Sequence, residues 1–310
     1  MIMTIAQNIS EKELLELYGL PLDELLSEAK KYNSDTVEFC SLISARTGKC
    51  SESCRYCAQS SHYMTDIFTH PLIKIEDVIK TAKEAKENGA TRFAIVTSGR
   101  GPSKADMPVM CEMIKEINKL GLKSCASLGL LDEEKAQQFK DAGLVRYHHN
   151  INTSRSYHPS ITTTHTFQDR VDTINFVKKA GIEVCSGVII GMGESVEQRV
   201  EMALNLAEIK PDSIPVNFLT PIEGTPFENY GDKIDEEGIL RTLSIIKIAN
   251  PKSVVRFAGG RKLRLSKENM ERALDCTVNG ILIGNYLTTI GIEPKEDIET
   301  LKKLGKKLYV

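Results

Sequence analysis

Short apolar, β-branched runs alternate with amphipathic segments along most of the chain. The alternation of short strand-like runs with helical periodicity is typical of repeated βα units. The runs with strand character are residues 37–44, 92–97, 123–128, 145–151, 183–190, 214–220, 254–258 and 280–284. The segments with helical periodicity are residues 75–87, 106–120, 132–141, 167–180, 195–209 and 267–278.

Eight strands with intervening helices predict an α/β fold, a (β/α)8 TIM-type barrel, with an open doubly wound sheet as the alternative. Gly89, Gly121, Gly143 and Gly181 each precede a strand, where the helix of a βα unit ends. Residues 1 to about 35 predict one or two helices outside the repeat. No linker or boundary is visible, so residues 1–310 are expected to form a single domain.

The composition changes this picture only by exclusion. With 41% hydrophobic and 26% charged residues and a net charge of −2, the 310-residue chain suits a soluble globular protein without a basic field for nucleic acid. No apolar stretch reaches membrane-spanning length, and no basic segment followed by an apolar one indicates secretion. We therefore expect a cytoplasmic protein, in which eight cysteines argue for metal or redox chemistry rather than disulfides.

The most informative motif is a cysteine loop directly after the first predicted strand. Cys50, Cys54 and Cys57 have the spacing C-x3-C-x2-C, which supplies one thiolate fewer than an ordinary four-cysteine 4Fe–4S site. An open metal position is where chemistry takes place. A zinc loop closed by His62 is the alternative, although the motif lacks a second C-x2-C pair. The loop belongs at the C-terminal mouth of the barrel, where barrel active sites form.

A second cluster of cysteines falls inside predicted strands. Cys40, Cys125 and Cys185 lie in the first, third and fifth strands, and Arg256 lies in the seventh. Alternate strands contribute side chains to the same layer of a barrel interior. These residues therefore predict a second metal site in the lumen, although an arginine is a poor metal ligand and a salt bridge or substrate clamp is its alternative role.

The two remaining cysteines lie outside the predicted strands. Cys111 and Cys276 lie in predicted helices, where a cysteine usually packs as a small apolar side chain.

With Tyr56 before its last cysteine, the loop resembles the signature of radical S-adenosylmethionine (SAM) enzymes, and the chain as a whole resembles the biotin synthase family. The stretches that carry the resemblance are SLISARTGKCSESCRYCAQSSHY (41–63), ATRFAIVTSG (90–99), LKSCASLG (122–129), TTTHTFQDRVDTI (162–174), VCSGVIIGMGE (184–194), IPVNFLTPIEGTP (214–226) and SVVRFAGGR (253–261). The resemblance implies a sulfurtransferase that inserts one sulfur into dethiobiotin. It also implies a 4Fe–4S cluster that holds SAM on Cys50, Cys54 and Cys57.

The resemblance further implies an auxiliary iron–sulfur cluster, and here the chain departs from the family pattern. Cys125, Cys185 and Arg256 match family ligands, but Ala94 stands where the family has a cysteine on the second strand. We expect Cys40 to replace that ligand, with Arg256 nearby and its ligation open. The cluster is then either 2Fe–2S or a larger four-iron cluster with an extra sulfide.

The family pattern also extends to residues that bind SAM and substrate. The predicted SAM-binding residues are Tyr56, Asn152, Arg170, Gly187, Ile189, Gly191 and Glu194. The predicted substrate-binding residues are Asn150 and Asn217 for the ureido ring and Thr288 and Thr289 for the carboxylate. The family commonly has Asn at the position of His148 and Asp at that of Asn152; we assign neither His148 nor His149 a catalytic role.

The resemblance implies that a SAM-derived radical removes hydrogen from dethiobiotin and that sulfur comes from the auxiliary cluster. It also implies flavodoxin or ferredoxin as the electron donor and a homodimer. Two alternatives remain open from the residues. One is another radical SAM barrel, such as a hydrogenase-cofactor maturase or a mutase; the other is a non-catalytic iron–sulfur electron carrier or sensor. SAM binding distinguishes the carrier or sensor from the enzymes.

Overall fold

Parallel strands drawn from the length of the chain close into a barrel in the computed structural model, which describes residues 9–231, 233–284 and 292–309. The strands are β1 (Thr36–Arg46), β2 (Arg92–Thr97), β3 (Lys123–Ser127), β4 (Arg146–His148), β5 (Glu183–Cys185), β6 (Val188–Ile190), β7 (Ser213–Phe218), β8 (Val254–Phe257), β9 (Gly280–Leu282) and β10 (Lys307–Leu308). Neighbours pair in the order β1-β2-β3-β4-β5-β7-β8-β9, β6 continues β5 along β7, and β9 pairs with β1. The closed (β/α)8 prediction is confirmed, and the open sheet is wrong.

Helices cover the outside of the barrel. They are α1 (Glu11–Tyr18), α2 (Leu22–Lys30), α3 (Ile75–Glu87), α4 (Met107–Lys119), α5 (Glu133–Asp141), α6 (His158–Ile161), α7 (Phe167–Lys179), α8 (Val196–Ile209), α9 (Glu236–Ala249), α10 (Arg261–Arg264), α11 (Lys267–Cys276) and α12 (Pro294–Lys303). The local sequence explains their starts: Ser10, Thr166 and Ser195 each form a capping box with the residue three positions later. Predicted helix bounds agree with these to within two residues.

The helix α9 lies outside the predicted set because it has no polar face to give a clear period. Nearly all of it is buried, from Gly238 to Ala249. A helix that is apolar on all sides must be covered on all sides. Here α1 and α2, the predicted N-terminal extension, pack on its outer surface, and α8 lies beside it.

Strand alternation sorts the side chains into two layers. On β1, Phe39 packs outward in the hydrophobic core, whereas Cys40 and Leu42 face the lumen. The same period of two places Phe93 outside and Ala94 inside on β2. Apolar side chains on the outer face of the strands therefore pack against the helices, whereas side chains with functional chemistry, such as Cys40, face the lumen.

The fifth strand differs from its prediction as one unbroken run over residues 183–190. It is interrupted between β5 and β6, beside Pro215 of β7, which has no N–H to donate to its neighbour. The carbonyl of Gly187 instead accepts a hydrogen bond from the backbone N–H of Asn152, at 3.1 Å. The fourth strand is also shorter than the predicted 145–151, since β4 ends at His148 and the chain after it turns toward this gap.

Within the described ranges, none of the helices combines the length and the apolar character needed to cross a membrane.

The gap in the fifth strand generates a stability prediction. A Cβ atom at Gly187 would lie 1.9 Å from the carbonyl oxygen of Pro215, so Gly187→Ala must push β6 and β7 apart. We expect this variant to lose about 1–3 kcal/mol of stability, as overpacked cores do, measured by urea unfolding. Gly19→Ala is the matched control, because Gly19 has a φ of −81° and its Cβ would meet nothing closer than 3.5 Å. Equal stability of the two variants would contradict the steric argument.

Candidate functional site

The lumen of the barrel contains a cavity of about 350 Å³, in the size range of small-molecule sites. The residues predicted for the site that line it are Cys40, Cys125, Cys185, Arg256, Tyr56, Asn150, Asn152, Ile189 and Asn217. The cysteine loop lies at the mouth, and its Tyr56 reaches the cavity wall. Thr288 and Thr289 lie outside the described residues.

Three cysteines from three strands meet at the base of the cavity. Cys40, Cys125 and Cys185 are all buried. The proximity of the Cys40 thiol, with the charges of Arg146 and Arg92, lowers the pKa of Cys125 to about 7. The same proximity, with burial, raises the pKa of Cys40, whose thiol donates to the Ser41 carbonyl at 3.5 Å. Ala94, which lines the same cavity, offers no atom that could bind a metal.

Below the cysteines, one carboxylate binds three guanidinium groups. Glu38 of β1 accepts from Arg92 Nε at 2.6 Å, from Arg146 Nη1 at 3.1 Å and from Arg256 Nη2. Burial raises the pKa of Glu38, but Arg256, Arg146 and Arg92 outweigh it and hold that pKa at about 2. Glu183, which is partly exposed, pairs with Arg92 and Arg146 from the other side. The base of the lumen therefore carries more guanidinium than carboxylate charge.

This arrangement fits an anionic iron–sulfur cluster. Thiolates with inorganic sulfide carry negative charge, and the guanidinium excess beneath the cysteines offsets it. Arg146 and Arg256 line the cavity, and Arg92 Nη1, next to them around Glu38, is buried without a hydrogen-bond partner among the described groups.

His148 also lines this cavity, although no role for it was predicted. It is opposite Cys185 in the register of β4 and β5, and its Nδ1 lies 3.3 Å from the Cys185 sulfur. Burial, and then the charge of Arg256, lowers its pKa to about 4. The imidazole is therefore neutral at pH 7. His149 points away and packs against the Tyr147 ring, outside the cavity lining.

The cysteine loop at the mouth is held by its own backbone. Cys50 N donates to Gln59 O at 2.9 Å, and Ser61 N returns a bond to Cys50 O at 2.8 Å. Burial raises the pKa of Cys57 to about 12 and also raises that of Cys54. These thiols therefore ionise when a metal replaces the proton rather than by themselves.

The part of the chain that the structure describes contains no zinc-type site, because no three of its His, Cys, Asp or Glu side chains are placed to bind one metal ion. A 4Fe–4S cluster does not require such a group, because each thiolate binds a different iron. His62, the fourth ligand of the zinc alternative, instead has Nε2 at 3.0 Å from the Ser51 carbonyl.

Behind the cysteine loop runs a chain of buried polar contacts. Glu52 accepts from His165 Nδ1, and His165 Nε2 accepts from Arg170 Nε at 3.0 Å. Burial, and then Arg170, lowers the pKa of His165, which keeps the ring neutral and able to accept. Thr164 and Arg100 also bind Glu52. This relay orients Arg170, which does not itself line the cavity among the described residues.

Arg170 also hydrogen-bonds two residues of the cavity wall, Asn150 and Asn152. Its Nη1 donates to the Asn150 carbonyl at 2.9 Å. With the Asn152 amide oriented so that its oxygen faces these donors, Asn152 accepts from Arg170 Nη2 at 3.0 Å and from Tyr56 OH at 2.8 Å. Asn152 has a φ of 69°, a left-handed conformation that asparagine tolerates. Cysteine loop, helix α7 and cavity wall are thus joined at one amide.

The two predicted ureido residues are partly engaged by the backbone. Asn150 Oδ1 accepts from Gly187 N at 2.9 Å. Asn217 Oδ1 accepts from Gly259 N at 3.0 Å, and its Nδ2 lies 3.4 Å from the Val188 carbonyl. Both line the cavity, but both also fasten neighbouring strands. Their role toward a substrate stays a prediction.

A buried carboxylate holds the backbone of the glycine turn that follows β6. The buried Glu194 accepts from Gly191 N and Met192 N, each at 2.8 Å, and pairs with Arg199. Gly191 has a φ of 90°, which a residue with a side chain rarely adopts. Of the predicted turn residues, Ile189 lines the cavity, whereas Gly187, Gly191 and Glu194 support it from behind.

Sequence reasoning missed the polar residues that position the others. Glu38, Arg92 and Arg146 are charged residues inside predicted strands, and this was an available signal, because such a residue must face a partner in the lumen. Glu52 and His165 lie inside the stretches quoted above, but nothing in their spacing showed that they would meet.

Comparisons with known families agree with this geometry. The model of the radical SAM superfamily matches residues 44–207, and that of the biotin and thiamin synthesis associated domain matches residues 215–307. The chain is 42% identical to the biotin synthase of Clostridium tetani over 99% of its own length and 93% of that protein. It is 41% identical to that of Coxiella burnetii, over 98% and 97%.

Solved structures show the same fold. Methylornithine synthase superposes with a TM-score of 0.82 at 22% identity, over 98% of this chain and 95% of that one. The FeFe-hydrogenase maturase of Carboxydothermus hydrogenoformans has a TM-score of 0.82 at 15% identity, over 97% and 76%. At these identities the likeness concerns the barrel alone.

The charge cluster around Glu38 generates a pH-dependent prediction. Glu38→Gln leaves three buried guanidiniums with less counter-charge and is expected to cost about 3 kcal/mol of stability at pH 7 in the cluster-free protein. The folded-state pKa near 2 lies below the ordinary 4.5, so the carboxylate stabilises the fold above pH 4.5 and loses this effect as pH falls toward 2.

Urea unfolding at pH 7 and at pH 3.5 measures the stability that Glu38→Gln loses relative to the wild type. Glu84→Gln, on an exposed face of α3, is the control. The deficit of Glu38→Gln should shrink at the lower pH. A deficit that is absent at pH 7, or that grows as the pH falls, would contradict the proposed charge balance.

Proposed function

The chain belongs to the biotin synthase family of the radical SAM superfamily, and on that premise we propose which of its residues carry the reaction. Its function is to convert dethiobiotin to biotin by inserting one sulfur atom. Its cofactors are a 4Fe–4S cluster, SAM and an auxiliary iron–sulfur cluster. When bound, these groups supply the radical that removes hydrogen from the substrate and the sulfur that replaces it.

One observation carries the assignment of residues: a single cavity connects the cysteine loop with the three buried cysteines. Tyr56 of the loop and Cys125 at the base line the same 350 Å³ space. A substrate between them has a radical source on one side and a sulfur source on the other. The closed lumen also keeps water from a reactive centre.

We assign Cys50, Cys54 and Cys57 to the SAM-binding cluster. Arg170, oriented by the relay from Glu52, is the cation for the SAM carboxylate. Its orientation depends on His165, because the ring nitrogen Nε2 accepts a hydrogen bond from Arg170 Nε.

Tyr56, Asn152 and the apolar Ile189, which line the cavity wall, are the further residues that we assign to SAM. The amide of Asn152 replaces a carboxylate of the family pattern and accepts hydrogen bonds without charge. Gly187, Gly191 and Glu194 shape the turn that carries Ile189.

Cys40, Cys125 and Cys185 are the thiolate ligands that we assign to the auxiliary cluster. The three cysteines line one cavity together with Ala94, which supports the view that Cys40 takes the place of the cysteine that is missing at Ala94. On the substrate side, Asn150 and Asn217 remain the candidates for the ureido ring, and each retains part of its hydrogen-bonding capacity. Thr288 and Thr289 stay predictions for the carboxylate.

Dethiobiotin as substrate and the need for an electron donor follow from the family. Flavodoxin or ferredoxin as that donor, a homodimer and a cytoplasmic location are our proposals. We also propose that residues 1–310 act as one domain, because the strands matched by the two family models share one closed barrel.

The cluster assignment predicts which cysteines retain iron. A variant with Cys50, Cys54 and Cys57 all changed to Ala should keep the auxiliary cluster when purified without oxygen, and its iron and sulfide content distinguishes two irons from four. Adding Cys40→Ala should reduce that iron by at least half, because a thiolate ligand is lost. Adding Cys111→Ala, on the outer helix α4, is the matched control and should change nothing. Unchanged iron after Cys40→Ala would remove Cys40 from the ligand set, and a triple variant without iron would leave no auxiliary site.

The relay predicts SAM affinity. His165→Ala removes both the acceptor for Arg170 and the donor for Glu52, so we expect SAM to bind about three- to tenfold more weakly, with an unchanged iron content. His165→Gln retains an amide donor and acceptor and should recover part of the affinity. Equilibrium binding of SAM to the reconstituted proteins measures this, and equal affinity of His165→Ala and the wild type would contradict the role of the relay.

A further inference from the structure

We propose that His148, rather than Arg256, provides the nitrogen ligand of the auxiliary cluster beside Cys40, Cys125 and Cys185. This inference rests on the proposed function, since it requires an auxiliary cluster in the lumen. It adds a protein ligand that the thiolate set alone does not contain.

The position of His148 carries the first part of the argument. It stands opposite Cys185 on the adjacent strand, and both side chains line the cavity. Metal–sulfur and metal–nitrogen bonds of about 2.3 and 2.0 Å in a tetrahedral site bring the two donor atoms to about 3.5 Å from each other. The observed separation of 3.3 Å between His148 Nδ1 and Cys185 Sγ is close to that value. In a 2Fe–2S cluster four protein ligands are shared between two irons, and this pair is spaced as the two ligands of one of them.

The chemistry of the side chains is the second part. Neutral imidazole is a common ligand of iron, and histidine replaces cysteine in some iron–sulfur centres. A guanidinium binds metal only after it loses a proton, which its very high pKa opposes.

The surroundings of Arg256 are the third part. Its Nη2 binds the Glu38 carboxylate, its Nη1 lies 3.4 Å from the carbonyls of Glu38 and Ile281, and its Nε lies 3.4 Å from Ser213 Oγ. Each nitrogen of the guanidinium thus faces a protein acceptor. Arg256 supplies positive charge beneath the cluster, and its ion pair with Glu38 fixes the guanidinium there.

The test is spectroscopic and uses the full-length chain that lacks Cys50, Cys54 and Cys57, so that only the auxiliary cluster contributes. Two samples are prepared, one labelled with ¹⁵N only in histidine and one only in arginine, and the reduced cluster is studied by pulsed electron paramagnetic resonance. We expect a strong ¹⁵N coupling from histidine and none of ligand strength from arginine. A ligand-strength coupling from arginine, or none from histidine, overturns the proposal. A protein without any cluster overturns the proposed function together with it.

Variants identify which histidine is responsible. His148→Asn should abolish the histidine coupling, whereas His149→Asn, the neighbour outside the cavity lining, should retain it. If His148→Asn also loses iron, His148→Cys tests the site directly, because a thiolate should restore the iron without any histidine coupling. A histidine coupling that persists in His148→Asn or His148→Cys would overturn the assignment, as would failure of a folded His148→Cys to regain iron.

Discussion

The carboxylate of Glu38 is the interaction on which the interior of this barrel depends. It lies on β1 and binds guanidiniums from β2, β4 and β8, so one side chain connects four strands across the lumen. Three buried cations next to one another are costly without a counter-charge. With Glu38 in place, the strands can carry Arg92, Arg146 and Arg256 inward, and the lumen gains the positive charge that an anionic cluster needs above it.

The charged residues and the proposed metal-binding residues occupy different layers of the lumen. Glu38 and the three arginines lie at the base, and Cys40, Cys125 and Cys185 lie in the layer above them. Cys40 and Cys125 share the cavity because β1 and β3 each direct a cysteine inward, while β2 between them contributes the small Ala94 next to Cys125. A larger residue on β2 would fill the space that the cysteines and their cluster share.

A second set of buried contacts organises the mouth of the barrel. Glu52 of the cysteine loop, His165 before α7 and Asn152 after β4 are far apart in sequence, yet all three are linked through Arg170. Because Glu52, His165 and Asn152 are buried and each is hydrogen-bonded within this series, the series fastens the loop to the cavity wall. The SAM side of the site is thereby held in a fixed relation to the sulfur side.

The sequence by itself determined the alternation of strands with most of the helices and the position of the cysteine loop after the first strand, because these depend on local periodicity, helix caps and the spacing of neighbouring residues. It favoured the closed barrel over an open sheet, and only the pairing of β9 with β1 decided between them. It also pointed to Cys40, Cys125, Cys185 and Arg256, since the alternation within strands tells which residues face inward. Only the tertiary structure decided which of the inward groups meet. In the fold His148 lies next to Cys185, and Arg256 pairs with Glu38. Such contacts between strands depend on strand register and on distance, and the periodicity of a single strand contains neither.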